Sequence, residues 1–100
     1  MEKKYFALKL IPPRPTFAMD MTDKETAIMQ QHVSYWAQLM SEGIVIVYGP
    51  VFDPAGPYGF GIIEVDDKEQ VIAITNNDPA AAINRYEFYP MRAIVPGKKA

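Results

Sequence analysis

Residues 44–65, IVIVYGPVFDPAGPYGFGIIEV, restrict the fold more than any other stretch of the chain. IVIVYGPV and FGIIEV are rich in β-branched and aromatic residues that favour strands. The prolines and glycines of DPAGPYG between them supply turn chemistry. The pair therefore reads as a hairpin in mid-chain. On its N-terminal side, Thr22 followed three residues later by Glu25 is a capping-box signature, and it predicts a helix running to about Gly43, which suits a left-handed cap. On its C-terminal side, Asp66 or Asp67 caps a shorter helix through VIAITNN, and Asp78-Pro79 stops it. Tyr5 to Ile11 forms a first strand, after which PPRP cannot continue a ladder and PPRPTFAMDM reads as a stiff loop. Arg85 to Val95 reads as a last strand whose internal proline places it at a sheet edge.

The order is β-α-β-β-α-β, the ferredoxin-like arrangement of an α+β fold, with two helices on one face of an antiparallel four-stranded sheet. One hundred residues fit a single domain spanning 1–100, with 1–96 as the core and 97–100 as a flexible tail. Phe6, Leu8 and Leu10 make one apolar side of the first strand, and Tyr5, Ala7, Lys9 and Ile11 a second that is apolar except at Lys9. Ile44 and Ile46 alternate with Val45 and Val47, and Tyr86 and Phe88 with Tyr89 and Met91. Only one of two apolar sheet faces can lie under helices. The other predicts a homodimer with sheets packed face to face, in which Lys9 fits least well away from the rim.

Charge excludes several functions. A net charge of −2 with acidic and basic residues interleaved offers no stripe for a nucleic-acid backbone and no polybasic membrane patch. No apolar run is long enough for a membrane span or signal peptide, since the first is broken by Lys9 and ended by Pro12 and Pro13. The chain has no cysteine and one histidine, so thiolate chemistry is excluded, and neither a metal nor a cofactor is expected. These features read as a soluble cytoplasmic domain.

That histidine, His32, lies in AIMQQHVSYW, where Ile28, Tyr35 and Trp36 share its helical face. Ten residues separate it from Thr22, a descent of about 15 Å, and the second helix climbs a similar distance to end near Asp78. His32 and Asp78 should therefore stand level on adjacent elements. The PPRPTF loop, the GPVFDP hairpin and the DPAAAINRY segment can close over the gap above the short helix, making a pocket walled by Phe17, Trp36 and Tyr48. A carboxylate beside an imidazole fixes its tautomer and raises its basicity, as a general base requires. Plainer readings stand beside this one. Taken singly, His32 reads as a satisfied core or dimer-interface histidine, Asp78 and Asp53 as turn residues before proline, Arg14 as a solvated cation, and Trp36 as core.

The pattern resembles the YCII-related family of the dimeric α+β barrel superfamily. The resemblance rests on the mid-helix histidine of MQQHVSYWAQL, on EGIVIVYGPV with Gly43 and Gly49-Pro50, and on NNDPAA after the second helix. PPRPTFAMDMT and RYEFYPMRAIV look like one bacterial branch of it. The resemblance implies a ferredoxin-like protomer, a dimer and a histidine–aspartate site: His32 with Asp78, or with Asp53 as a rival. Relatives include a dehydrochlorinase for chlorinated hydroxyhydroquinones, and the wider superfamily includes muconolactone isomerase and cofactor-free monooxygenases. For most members no reaction is known.

Two functions follow as expectations. In the first, His32 oriented by Asp78 moves a proton on a small anionic or aromatic substrate, in elimination, isomerisation or hydrolysis. Arg14 binds a carboxylate or enolate, Gly49 and Pro50 bring backbone close to the ligand, and Thr16, Phe17, Trp36, Tyr48 and Asp53 complete the site. In the second, the same pocket belongs to a non-catalytic ligand-binding or accessory dimer.

Overall fold

The computed structural model describes residues 2–97. The expected tail beyond Gly97 lies outside the described residues. The strands are β1 (Lys4–Ile11), β2 (Val45–Val51), β3 (Tyr58–Val65) and β4 (Arg85–Met91). The helices are α1 (Phe17–Asp20), α2 (Asp23–Ser41) and α3 (Lys68–Asn77), with a 3₁₀ turn at Pro79–Ala82. The sheet is antiparallel in the order β2-β3-β1-β4. This is the ferredoxin-like α+β architecture. Pro50 and Pro90 fall on the two edge strands, where one side of the ladder needs no donor.

Local chemistry sets the boundaries of α2. The Thr22 hydroxyl accepts from the Glu25 N–H at 3.1 Å, and the Glu25 carboxylate accepts from the Thr22 N–H at 2.9 Å. At the other end Gly43 takes φ +81°, its N–H donates to the Met40 carbonyl at 3.0 Å, and the Ile44 N–H donates to the Leu39 carbonyl at 3.0 Å. That is a Schellman closure, and the positive φ is why glycine stands there. Asp67, rather than Asp66, caps α3 through the Gln70 N–H, while Asp66 pairs with Lys3.

Phe6, Leu8 and Leu10 turn inward, and Phe6 and Leu8 meet Trp36, Leu39, Val71 and Ile74 from the helices, with Val45, Ile63 and Val65 from the neighbouring strands. Tyr86 and Phe88 pack on this side, while Tyr89 points out.

Three details depart from the sequence reading. First, a β-bulge between Val45 and Val47 leaves Ile46 without a register partner, so that Val45 and Tyr48 face inward and Val47 outward. Strict alternation along IVIVY is thereby broken. Second, part of the expected stiff loop coils into α1, one helical turn held by burial of Phe17 rather than by a side-chain cap. Third, β4 ends at Met91 instead of Val95. Met91 already lies opposite Tyr5, next to the start of β1, so later residues have little strand left to pair with.

Candidate functional site

Asp78 sits where α3 stops, and its two oxygens do separate jobs. Oδ1 accepts from the Ala80 N–H at 2.9 Å and holds the turn into Pro79–Ala82. Oδ2 accepts from His32 Nδ1 at 2.7 Å, from Trp36 Nε1 at 3.0 Å, and from the Tyr86 hydroxyl. The Trp36 N–H also reaches the Tyr86 oxygen at 3.1 Å. The Asp78 side chain is wholly buried, whereas His32 keeps 14% of its side-chain surface. Burial disfavours the Asp78 charge, but hydrogen bonds from His32, Tyr86 and the Ala80 N–H outweigh it and hold the carboxyl below its ordinary range. Burial first, and the adjoining carboxylate second, push the Tyr86 phenol far above a normal tyrosine. Tyr86 is therefore a permanent donor, and Asp78 an anion.

An ionised carboxylate only accepts, so His32 Nδ1 carries the proton shared with it. In the neutral imidazole this leaves Nε2 as a lone-pair acceptor. Beside His32 opens a cavity of about 290 Å³ between α2 and the sheet, walled also by Phe17, Trp36, Tyr48, Gly49 and Pro50. Its lining is predominantly apolar. Trp36 lies 6.0 Å from the His32 ring and 5.6 Å from the Tyr48 ring, centroid to centroid, so one indole links imidazole, carboxylate and wall.

Of the residues expected at the site, His32, Phe17, Trp36, Tyr48, Gly49 and Pro50 line this cavity, and Asp78 stands directly behind it. Three others lie elsewhere. Arg14 donates to both oxygens of Glu25 at 3.0 and 2.8 Å and to the Asp20 side chain at 2.8 Å. The Thr16 hydroxyl donates to Asp20 at 2.6 Å. The Asp53 side chain accepts from the Ala55 N–H at 2.9 Å within its own turn. Arg14 and Asp53 share the wall of a second cavity near Lys9, whose ammonium rests 4.4 Å from the Tyr58 ring centre. Among the described residues, no group of three or more His, Cys, Asp or Glu side chains is placed to hold a metal ion. No helix among them is long and apolar enough to cross a membrane.

The family model of the YCII-related domain matches residues 6–94. The chain belongs to the YCII-related family. Among solved structures, an uncharacterised protein from Thermotoga maritima superposes with a TM-score of 0.58 at 11% identity, covering 91% of this chain and 100% of that one. A protein of unknown function from Nitrosomonas europaea gives 0.53 at 15% identity, covering 96% of this chain and 97% of that one. At such identities the likeness shows the shared fold. No curated protein matches.

Two features of this YCII-related site lie outside the sequence reading. Tyr86, read there only as a strand residue, is the third side-chain donor to Asp78. Gly61 lies under Trp36, where an added Cβ would come within 2.4 Å of the indole Cζ3. The available signal was Gly59-Phe60-Gly61 inside a strand, since strand glycines mark close approach.

Proposed function

We propose that this YCII-related protein is a cofactor-independent acid–base enzyme, acting as a cytoplasmic homodimer on a small ring-bearing substrate. His32 Nε2 is the base, and Asp78 fixes its tautomer and stabilises the imidazolium formed when it takes a proton. The observation that carries this reading is the 2.7 Å contact between His32 Nδ1 and a wholly buried carboxylate, with His32 also on the cavity wall. A base needs geometry first, and this pair supplies it. Elimination and isomerisation both begin with the removal of a proton that such a base performs.

The test is hydrogen exchange into a carbon acid of suitable size. 2-Tetralone incubated with the protein in deuterium oxide should lose its C1 proton signals faster than in buffer alone. The acceleration should vanish in His32→Gln and fall steeply in Asp78→Asn. Equal exchange with wild type and His32→Gln would refute the base. A purely binding module would instead shift the Trp36 indole resonance on adding the ketone, without any exchange.

A further inference from the structure

The cavity beside His32 has no lysine, arginine, aspartate or glutamate in its lining. The charge behind its wall is Asp78, negative and buried. Protonated, the His32–Asp78 pair sums to zero; with neutral imidazole it carries one negative charge. Neither state offers an anion a net counter-charge. Arg14, the cation expected in the pocket, is tied to Glu25 and Asp20, and Arg85, beside the wall residues Asn84 and Tyr86, pairs with Glu87. A carboxylate entering here would lose its water without ionic compensation, which is costly in an apolar enclosure.

Besides the Tyr48 and Tyr58 hydroxyls, which can donate or accept, two wall side chains offer an acceptor. Asn84, another wall residue, donates its Nδ2 to the Ala80 carbonyl at 3.0 Å and lies 3.5 Å from the Met29 sulfur. Those contacts orient the amide and leave Oδ1 as its acceptor. His32 Nε2 is the second, because Nδ1–H is given to Asp78. Among the described residues no buried side-chain nitrogen or oxygen lacks a partner, so both of these unpartnered atoms are accessible. Around them stand the rings of Phe17, Trp36 and Tyr48.

We propose that the cavity selects uncharged ring compounds bearing a hydrogen-bond donor and rejects carboxylates of the same shape, with Asn84 as the specificity-determining partner of His32. This rests on the reading of the His32 cavity as the substrate site and names the substrate class. It replaces the anionic substrate expected when Arg14 was placed in the pocket.

Three probes of one shape test it: 2-naphthol, 2-methoxynaphthalene and 2-naphthoate, titrated into the full chain at neutral pH and followed by NMR through the Trp36 indole. The naphthol should bind at least about tenfold more tightly than either analogue, because a hydrogen-bonding site discriminates against ligands that leave it unpaired. Asn84→Ala should cut naphthol affinity about fivefold and leave the methoxy compound unchanged, matching the loss of one hydrogen bond. Naphthoate binding as well as naphthol, equal binding of naphthol and its methyl ether, or no binding of any probe overturns the proposal. The outcome is separable from the acid–base reading. Selective naphthol binding without tetralone exchange, at ketone concentrations where the Trp36 indole signal shows the ketone bound, leaves this inference standing and removes the catalysis, whereas exchange with a preference for naphthoate does the reverse.

Discussion

At the residue scale, Asp78 explains why the local sequence supported two readings at once. Oδ1 makes the turn that Asp-Pro suggests, and Oδ2 makes the contacts that height-matching with His32 suggests. Removing the charge tests the second role. Asp78→Asn leaves the turn acceptor but presents an amide where three donors converge, so stability should fall by about 3 kcal/mol, measured by urea unfolding followed through Trp36 fluorescence. The pH dependence has a defined sign. The folded state holds the Asp78 carboxyl below its ordinary value of 3.8, so the unfolded chain binds the proton more readily. The stabilisation is therefore complete above about pH 4 to 5 and is lost as pH falls through the lower folded value. Wild type should lose more stability than Asp78→Asn between pH 6 and pH 3; parallel curves would assign the acid sensitivity to other carboxylates. Tyr86→Phe, which removes one donor and keeps the ring, should cost about 1 to 2 kcal/mol in the same assay. His32 and Asp78 were legible because both stand at helix positions whose heights follow from counting. Tyr86 was not, because strand register decides which donor reaches Asp78, and register appears only once β4 is paired with β1.

At the scale of elements, the capping box of α2 does more than begin a helix. Glu25 accepts from the Thr22 N–H and from both terminal nitrogens of Arg14, so one carboxylate joins the helix start to the proline loop. Arg14 also grips Asp20 and lies over the Phe17 ring, 5.3 Å from its centre. The clasp thus holds α1, and with it a wall of the cavity. Hydrogen bonds from Arg14 and from Thr22 bring the Glu25 carboxyl down to about 2 from its ordinary 4.5. The clasp is therefore present above about pH 4.5 and loosens as pH falls through about 2. Glu25→Gln should speed amide exchange across Phe17–Asp20 several-fold at neutral pH while the β1 amides stay protected, a local opening rather than global unfolding. The box itself is a sequence pattern with fixed spacing and was readable as such. Its use by Arg14, eleven residues away, depends on a loop path that proline content stiffens without directing. Gly61 is the corresponding case in the sheet. Gly61→Ala would press a methyl into the indole that Asp78 anchors, so it should destabilise by about 1 to 3 kcal/mol and shift Trp36 emission.

At the scale of the whole molecule, the element order was legible because a turn, proline or capping signal separates each pair of consecutive segments. The sidedness of β2 was not, because the bulge at Ile46, near the start of the strand, reverses its alternation. The consequence reaches the sheet face opposite the helices. With Val47 turned outward, that face presents Val47, Phe60 and Tyr89 at 51, 37 and 60% exposure, and Ala7, Ile62 and Met91 lie among them. Lys9 interrupts it, yet its cross-strand neighbour is Glu87 and its ammonium sits over Tyr58, so the charge has local company. A largely apolar surface of this kind is what a second copy would cover. We therefore expect a homodimer joined through this face, with the His32 cavity left on the helical side. Sedimentation at micromolar concentration should give twice the chain mass. Tyr89→Glu combined with Val47→Glu places charges where a monomer exposes both side chains, so it should yield a folded single chain with unchanged far-UV circular dichroism. A wild type that sediments as one chain would refute the dimer. A charged variant that still pairs would move the interface elsewhere, onto the exposed Val33 and Met40 of α2 or Ile72 of α3.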